Sequence, residues 1–408
     1  MIPDSAGESN NTMTLTLLID LDDTLLNTNM EAFIPAYFQA LAKELGTYVA
    51  PDIMLRALMA GTNAMNTSDD FSRTLVQVFD AEFYPRMNLA PDVLRAPLEN
   101  FYDNIFPSLG SLTTQRPDAR EFVEWAFSKG YRIAVATDPL FPREATYSRL
   151  RWAGFEPEQF EIVSSFENFH FTKTHPAYYA EVLGLMGWPD GPVLMVGNDI
   201  ERDIKPSKML GLAAFHVENE PASTSGPEAG VRGNLSDLRR WLESTDLSAL
   251  IPSFKTMDSI LGVLSATPAA MNGLLHGLDE TTWAREPSAE DWAMIEIVCH
   301  MLDTEREIHH MQIKLFSEQN EPFIPRPDTS VWASQRDYLH ENGPLAVKEF
   351  NDARRETLNL LSQIPAETWE RKARHAIFGP TDFLEVIGFM ADHDRMHLQQ
   401  VWNTLKKL

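Results

Sequence analysis

Three short apolar segments lie in the first half of the chain, and polar residues end each of them. They are Leu15 to Ile19, Tyr131 to Ala136 and Pro192 to Val196. Such segments are typical of strands buried on both faces of a parallel sheet. Helical stretches at residues 119–129 and 176–186 separate them. Strands that alternate with helices predict a doubly wound α/β domain.

A long segment of helical character interrupts this α/β pattern between the first two strands. Apolar residues recur at helical spacing from Phe33 to Leu45, and residues 30–112 contain no clear strand. We interpret this segment as an inserted helical cap. Residues 218–232 are rich in Glu, Pro, Ser, Thr and Gly, which predicts a loop, and a short helix at 236–243 closes the domain.

The pattern changes from Ile251 onward, where no convincing strand is found. Four amphipathic helices are predicted, at residues 254–276, 290–318, 344–362 and 381–406, and three prolines at 322, 325 and 327 break the chain after the second helix. This layout predicts an all-α four-helix bundle with one longer crossover. We therefore expect a disordered tail at 1–13, an α/β domain at 14–248 and a bundle at 251–408.

Composition narrows the classes of partner. The 408 residues include 59 acidic and 34 basic side chains, and the formal charge of −25 disfavours nucleic acid and anionic membranes as partners. The single cysteine, Cys299, excludes an intrachain disulfide and fits a reducing compartment. Met1 to Thr12 lack the features of a signal peptide, and no apolar run approaches the roughly 20 residues that span a bilayer. The protein is expected to be soluble and cytoplasmic.

Acidic residues follow two of the predicted strands. Asp20 and Asp22 come directly after the first strand, and Asp199 and Asp203 follow the third. Sites in open parallel sheets form at the carboxyl ends of strands, so these carboxylates are expected to meet. Close carboxylates repel one another unless a cation lies between them. Oxygen ligands beside a phosphate favour Mg²⁺.

Two further residues suit the binding of a phosphate. Thr137 ends the second strand and offers a hydroxyl, and Lys173 follows the loop at 166–170 and offers a positive charge. Either residue alone would more often be an ordinary surface group.

The order of these residues resembles the haloacid dehalogenase superfamily of phosphohydrolases over about residues 14–245. The matching motifs are Asp20-x-Asp22-x-Thr24, Thr137, Lys173 and Gly197-Asn198-Asp199-x-x-x-Asp203. The segment between the first two motifs resembles the helical cap of that superfamily.

The resemblance implies a role for each motif residue. Asp20 would be the nucleophile that forms an aspartyl-phosphate, and Asp22 would act as general acid and then general base while its carbonyl binds the metal. Thr137 and Lys173 would hold the phosphoryl group. Of the later acids, Asp199 would ligate Mg²⁺, and Asp203 would support the metal or the lysine. Dehalogenases of the superfamily lack an acid at the position of Asp22, which favours phosphoryl transfer over dehalogenation.

Three positions depart from the usual motifs. Asn198 stands where Asp is frequent, which leaves Asp199 as the expected carboxylate ligand and Asn198 as a weaker oxygen ligand. Asp138 stands where Asn often follows the motif threonine, and Thr174 stands where Pro often follows the motif lysine. These departures concern the metal site and the substrate, and they remove no catalytic group.

A histidine pattern marks the second half of the chain. His393 and His397 lie four residues apart and share one face of a helix, which is a chelating spacing for a transition metal. His300 lies among apolar residues of the second bundle helix, so it is expected to face inward and complete a triad with open positions for water or substrate. The adjacent His309 and His310 are expected at the surface, and Cys299 is expected in the core.

The bundle resembles the DinB/YfiT-like metal-binding bundles over about residues 251–408. The matching features are Trp292 two turns before His300, and His393-x-x-x-His397 followed by Leu398-Gln399-Gln400. The resemblance implies a divalent metal, often Zn²⁺ or Ni²⁺, and some members of the family are thiol-dependent transferases or hydrolases. A solvated polar stripe is the alternative interpretation of these histidines.

Three hypotheses follow from the two resemblances. In the first, the α/β domain hydrolyses a small phosphorylated metabolite and the bundle carries a second metal. In the second, the bundle holds the main metal-dependent activity and the α/β domain is accessory. In the third, the bundle is a non-catalytic module that forms a homodimer.

Overall fold

The computed structural model describes residues 13–218 and 231–408. The tail predicted at 1–13, except Met13, and most of the loop predicted at 218–232 lie outside the described residues. The strands of the described chain are β1 (Thr16–Ile19), β2 (Leu26–Thr28), β3 (Thr113–Gln115), β4 (Arg132–Val135), β5 (Ile162–Val163), β6 (Val193–Gly197), β7 (Ala213–Val217), β8 (Val231–Gly233), β9 (Phe323–Ile324), β10 (Lys372–His375) and β11 (Gly379–Asp382).

Helices make up most of the remaining structure. Those before the bundle are α1 (Met30–Leu45), α2 (Pro51–Thr67), α3 (Leu75–Met87), α4 (Pro91–Asn100), α5 (Pro117–Ser128), α6 (Arg143–Trp152), α7 (Pro176–Leu185), α8 (Lys205–Leu210) and α9 (Leu235–Ser244). Those after it begins are α10 (Met257–Leu275), α11 (Glu280–Trp283), α12 (Met294–Thr304), α13 (His310–Glu318), α14 (Trp332–Gln335), α15 (Gly343–Ser362) and α16 (Phe383–Lys407).

A parallel six-stranded sheet forms the centre of the α/β domain. Its strand order is β5-β4-β1-β6-β7-β8, and β1 lies between β4 and β6, with Leu18 level with Ala134 and Met195. Every residue of β1 is buried, as the continuous apolar run predicts for a strand covered on both faces. The α/β prediction is confirmed. The carboxyl ends of β1, β4 and β6 lie side by side, and this edge positions the candidate active site.

A two-stranded antiparallel sheet joins the cap to the α/β domain. Strands β2 and β3 pair antiparallel, with Leu26 opposite Gln115, and helices α1 to α4 lie between them in sequence. The apolar residues spaced along α1, from Phe33 to Leu45, are buried in the cap. These two strands therefore connect the cap to the loop that directly follows β1.

The bundle consists of four long helical segments, as predicted. They are α10, α12 continued through a π-helical turn at Glu305–His309 into α13, α15 and α16. The sequence interpretation was wrong on one point, because strands β9, β10 and β11 form a small sheet beside the bundle. These strands contain only two to four residues each, which is too short to give a clear alternating pattern.

The two halves share one hydrophobic core across helices α7 and α10. A Cβ atom built on Gly184 of α7 would lie only 2.6 Å from the Cβ of Ala270, and one built on Gly273 of α10 would lie 2.8 Å from Leu185 Cδ2. Gly184 thus leaves room for the side chain of Ala270, whereas at Gly273 the neighbour is the flexible end of Leu185. Among the described residues, no helix combines the length and apolar character needed to cross a membrane.

Candidate active site and metal centre

Asp20 lies at the carboxyl end of β1, where its backbone N–H donates to Val196 O at 2.9 Å. Its buried carboxylate accepts a hydrogen bond from Lys173 Nζ, 2.6 Å from Oδ1. Lys173 Nζ also forms an ion pair with the buried Asp203. A Cβ atom on Gly197 would collide with the Asp203 carboxylate, so glycine there makes room for this acid. Three of the predicted residues therefore form one charged cluster.

The loop that carries Lys173 is fixed from two sides. The buried Glu181 of α7 accepts from His170 Nδ1 at 2.6 Å and from the His170 backbone N–H at 3.2 Å. The Lys173 backbone N–H donates to Asp138 Oδ1 at 3.2 Å, and Asp138 also forms an ion pair with Arg202. Asp138, which stands where this motif often has asparagine, thus helps to position Lys173.

Burial and charge act in opposite directions in this cluster. Burial raises the pKa of Asp20 to about 7, against the lowering effect of Lys173. Burial alone would lower the pKa of Lys173, but the carboxylates of Asp20 and Asp203 outweigh it and hold that pKa well above its ordinary value. The lysine therefore stays positively charged beside Asp20.

Asn198, rather than the Asp199 carboxylate, points toward Asp20. One of the two terminal amide atoms of the Asn198 side chain, either its oxygen or its nitrogen, lies 3.2 Å from Asp20 Oδ2 and 3.0 Å from the Asp22 carbonyl oxygen. With the amide nitrogen there it donates to both oxygens, and with the amide oxygen there three oxygens converge, which is a donor set that fits a hard divalent cation. Asp199 Oδ1 instead accepts from the backbone N–H groups of Glu201 and Arg202 at 2.8 and 3.1 Å.

The Asp22 side chain is held by Arg149 of α6 and by Thr28 of β2. Its Oδ2 lies 2.5 Å from Nη1 of Arg149, which is 1% exposed, and its Oδ1 accepts from Thr28 Oγ1 at 2.8 Å. Asp23 next to it adopts a left-handed backbone with φ of 57°. Sequence reasoning missed Arg149. The sequence signal that could have indicated it is that this arginine directly precedes Leu150 on the buried face of α6.

Thr137 is buried just beyond β4, at the same edge of the sheet as Asp20. Its carbonyl oxygen accepts from Ser164 Oγ at 2.6 Å and from the Tyr178 hydroxyl at 2.9 Å. These bonds fix the backbone of the second motif.

An aromatic cavity of about 650 Å³ lies between the cap and the loops beside this site. Phe141 forms part of its wall and also contacts the guanidinium of Arg149 at 4.4 Å from the ring centre. Asp80 lies in the same wall, and burial raises the pKa of its carboxyl to about 6. One residue of the cavity wall thus packs against Arg149, which holds Asp22.

The three histidines predicted in the bundle come together. His393 Nε2 lies 3.3 Å from His300 Nε2 and 3.1 Å from His397 Nε2. Among the described residues, these three form the group of possible metal ligands whose donor atoms lie within 4.8 Å of one another. Nitrogen donors in this arrangement fit Zn²⁺ or another transition metal.

The surroundings keep these imidazoles neutral. Burial lowers the pKa of His300 to about 4, holds that of His393 well below its ordinary value and lowers that of His397. His397 Nδ1 pairs with Gln400 Oε1 at 2.8 Å, which leaves its Nε2 lone pair directed at the other histidines. Trp292 stacks parallel to the His397 ring at 6.4 Å.

A buried ionic network supports the triad from behind. Arg354 of α15 contacts Glu305 at 2.7 and 2.8 Å and Asp394 at 2.5 and 3.1 Å, and it also donates to Leu264 O at 2.9 Å. Glu305 in turn accepts from His309 Nδ1 at 2.8 Å. Burial raises the pKa of Glu305, but Arg354 outweighs it and holds that pKa well below its ordinary value.

His309 was expected at the surface, and that expectation was wrong. The side chain is buried, because the π-helical turn at Glu305–His309 rotates it inward toward Glu305. It lines a cavity of about 590 Å³ that also contacts His393. The neighbouring His310 is only partly buried and bonds Thr357 Oγ1 at 2.9 Å. A Glu and a His four residues apart were the signal of this pair in the sequence.

Two family models match different parts of the chain. Residues 14–211 match the family model of haloacid dehalogenase-like hydrolases, and residues 264–401 match that of the DinB superfamily. No curated protein matches the chain.

Several solved structures are similar to one half of the chain. A haloacid dehalogenase-type phosphatase from Thermococcus onnurineus is 19% identical, with 56% of this chain and 98% of that chain covered and a TM-score of 0.38. The 2-haloacid dehalogenase from Pseudomonas syringae pv. Tomato is 17% identical, with 57% and 98% covered and a TM-score of 0.41. The four-helix bundle protein YfiT from Bacillus subtilis is 14% identical, with 48% and 96% covered and a TM-score of 0.34.

Proposed function

We propose that this chain, which joins a haloacid dehalogenase-like hydrolase domain to a DinB-superfamily domain, hydrolyses a small phosphomonoester with Mg²⁺ through an aspartyl-phosphate on Asp20. One observation carries the proposal. Asp20 Oδ1 contacts the positively charged Lys173 at 2.6 Å, while one amide atom of the Asn198 side chain lies 3.2 Å from Oδ2 and 3.0 Å from the Asp22 carbonyl oxygen. The Asp20 carboxylate thus lies between the ammonium group of Lys173 and a group of oxygen atoms suited to bind Mg²⁺.

The reaction divides between two carboxylates. In the first step a bond forms between an Asp20 oxygen and phosphorus, and the ester bond to the leaving oxygen breaks. The Asp22 carboxyl gives its proton to that oxygen. In the second step water attacks the phosphorus of the aspartyl-phosphate, Asp22 takes a proton from the water, and Asp20 is released. In both steps the Asp22 carboxyl has to release its contact with Arg149 or with Thr28 in order to reach the reacting oxygen.

The remaining residues bind the phosphate and its charge. Lys173 neutralises the phosphoryl oxygens, and Asp203 keeps the lysine in place. Thr137 offers a hydroxyl at the same sheet edge. Mg²⁺, held by oxygens of Asp20, the Asp22 carbonyl and Asn198, would supply the charge that lets an anionic phosphate approach a carboxylate. This assignment moves the ligand role expected of Asp199 to Asn198, because the Asp199 carboxylate caps a helical turn.

The test is a panel of small phosphomonoesters assayed with Mg²⁺. The wild-type protein should release phosphate from at least one of them, chelation of the metal should stop the release, and Asp20→Asn should abolish it. Asp52→Asn is the matched control, since Asp52 is exposed on α2, where it forms a surface ion pair with Arg56. Turnover that survives in Asp20→Asn would refute the proposal.

The histidine triad supports a second candidate function. A Zn²⁺ or Ni²⁺ ion on His300, His393 and His397 would give the bundle a metal-dependent hydrolytic or transfer activity of its own, with the hydrolase domain accessory. Elemental analysis should find a transition metal in the wild-type protein and lose it in the double variant His393→Ala, His397→Ala. The homodimer through the bundle stays a prediction, which size-exclusion of the full chain would test.

A further inference from the structure

His309 is a buried histidine beside the triad that the roles above do not use. Its ring lies edge-to-face with that of His393, with centroids 5.7 Å apart. It lines the cavity of about 590 Å³ to which His393 also contributes. The π-helical turn that places it there is rare in proteins and frequently occurs at functional sites.

The hydrogen bonds of His309 decide which of its nitrogens carries the proton. Nδ1 lies 2.8 Å from Glu305 Oε2, and the Glu305 carboxylate also contacts the positively charged Arg354 through both oxygens. Because an ionised carboxylate only accepts hydrogen bonds, His309 Nδ1 is the donor. In the neutral ring, Nε2 is then an acceptor, and it has no hydrogen-bond partner within the part of the chain that the structure describes.

We propose that His309 Nε2 accepts a hydrogen bond from a protic ligand, water in the resting protein, that occupies the open position of the triad's cation. The inference rests on the cation site proposed above. The triad supplies three nitrogen donors, and a four-coordinate cation held by them would have one further position for such a ligand. Glu305 fixes the orientation of the His309 ring, and Arg354 fixes Glu305. The bundle site thus consists of three ligands and one buried acceptor that selects ligands with a hydrogen to donate.

Azide is a suitable probe because it binds a transition metal as an anion and has no hydrogen to donate. To bind, it has to displace the water, whose hydrogen bond to His309 opposes the exchange. In protein loaded with Co²⁺, azide binding is followed by the visible absorption of the metal. His309→Asn keeps a donor near the Nδ1 position for Glu305 but removes the acceptor. Loss of one hydrogen bond to the displaced water should tighten azide binding roughly fivefold.

Two further variants separate this role from a structural one. His309→Gln places an amide oxygen near the former Nε2 position and should restore azide affinity toward the wild-type value. His340→Asn is the control at an exposed histidine and should change nothing. Cobalt content is measured for each variant. Unchanged or weaker azide binding in a fully loaded His309→Asn protein would overturn the inference, whereas a wild-type protein that takes up no cobalt would overturn the cation site as well.

Discussion

Replacing Arg354 with methionine should destabilise the bundle strongly. Arg354 is fully buried and provides the hydrogen bonds that neutralise Glu305 and Asp394, which are 0% and 1% exposed. Methionine keeps most of the side-chain volume but removes the charge. Two buried carboxylates would then lose the guanidinium that both of them contact, and one partner left alone in a buried ion pair typically costs about 3–5 kcal/mol.

The loss should depend on pH, and its sign follows from Glu305. In the wild-type protein its pKa lies well below the ordinary value, so its contribution to stability is present above pH 4.5 and is lost as the pH falls through the lower folded value. Arg354→Met removes the largest opposing effect, so burial, against the weaker influence of His309, raises that pKa, and the variant should lose stability as the pH rises from about 4.5. The deficit is therefore larger at pH 8 than at pH 5.

Thermal unfolding at the two pH values measures this deficit. At about 2–4 °C per kcal/mol for a domain of this size, a loss of 3 kcal/mol lowers the midpoint by roughly 6–12 °C at pH 8. Arg355→Met is the matched control, because Arg355 is half-exposed and its ion pairs are at the surface, so its midpoint should change little. An Arg354→Met protein as stable as the control at pH 8 would refute the account of this network.

Three other predictions concern the junction, the cap cavity and the cation site. Gly184→Ala should lower the unfolding midpoint, since its Cβ would lie 2.6 Å from Ala270 Cβ, at a cost of about 1–3 kcal/mol, whereas Gly388→Ala meets only an ordinary contact at 3.5 Å and should be neutral or stabilising. The raised pKa of Asp80 makes the wild-type protein lose stability as the pH rises from 3.8 to about 6. Asp80→Asn should therefore stabilise the protein by about 1 kcal/mol at pH 7, after a discount for the exposure of Asp80, and should have no such effect at pH 4. Equal effects at both pH values would contradict this. Asn198→Asp should lower the Mg²⁺ concentration for half-maximal activity roughly tenfold, and an unchanged requirement would remove Asn198 from the cation site.

The features predicted from sequence are those that depend on local pattern. The continuous apolar run before Asp20 indicated a central parallel strand, and topology alone then brought its carboxyl end beside the strand that precedes Asn198. The spacing of His393 and His397 placed both on one face of a helix. In each case a short stretch of chain determines the geometry, so the pattern is sufficient.

The features that were missed depend on contacts between distant segments. Arg149 pairs with Asp22 across 127 residues, and Arg354 reaches Glu305 across 49. The inward turn of His309 depends on a π-helical turn, which the average helical period does not predict. Whether Asn198 or Asp199 faces Asp20 depends on which side chain caps the next turn. These arrangements arise from packing, which a single sequence does not display.

Binding of beryllium trifluoride tests the central claim most directly, because this phosphoryl mimic bonds to an ionised carboxylate and needs no knowledge of the natural substrate. Fluorine NMR of the wild-type protein with Mg²⁺ should show a bound signal that disappears on chelation and is absent in Asp20→Asn, while Asp52→Asn retains it. A signal that persists in Asp20→Asn, or that never forms in the wild-type protein with Mg²⁺, would contradict the assignment of Asp20 as the nucleophile.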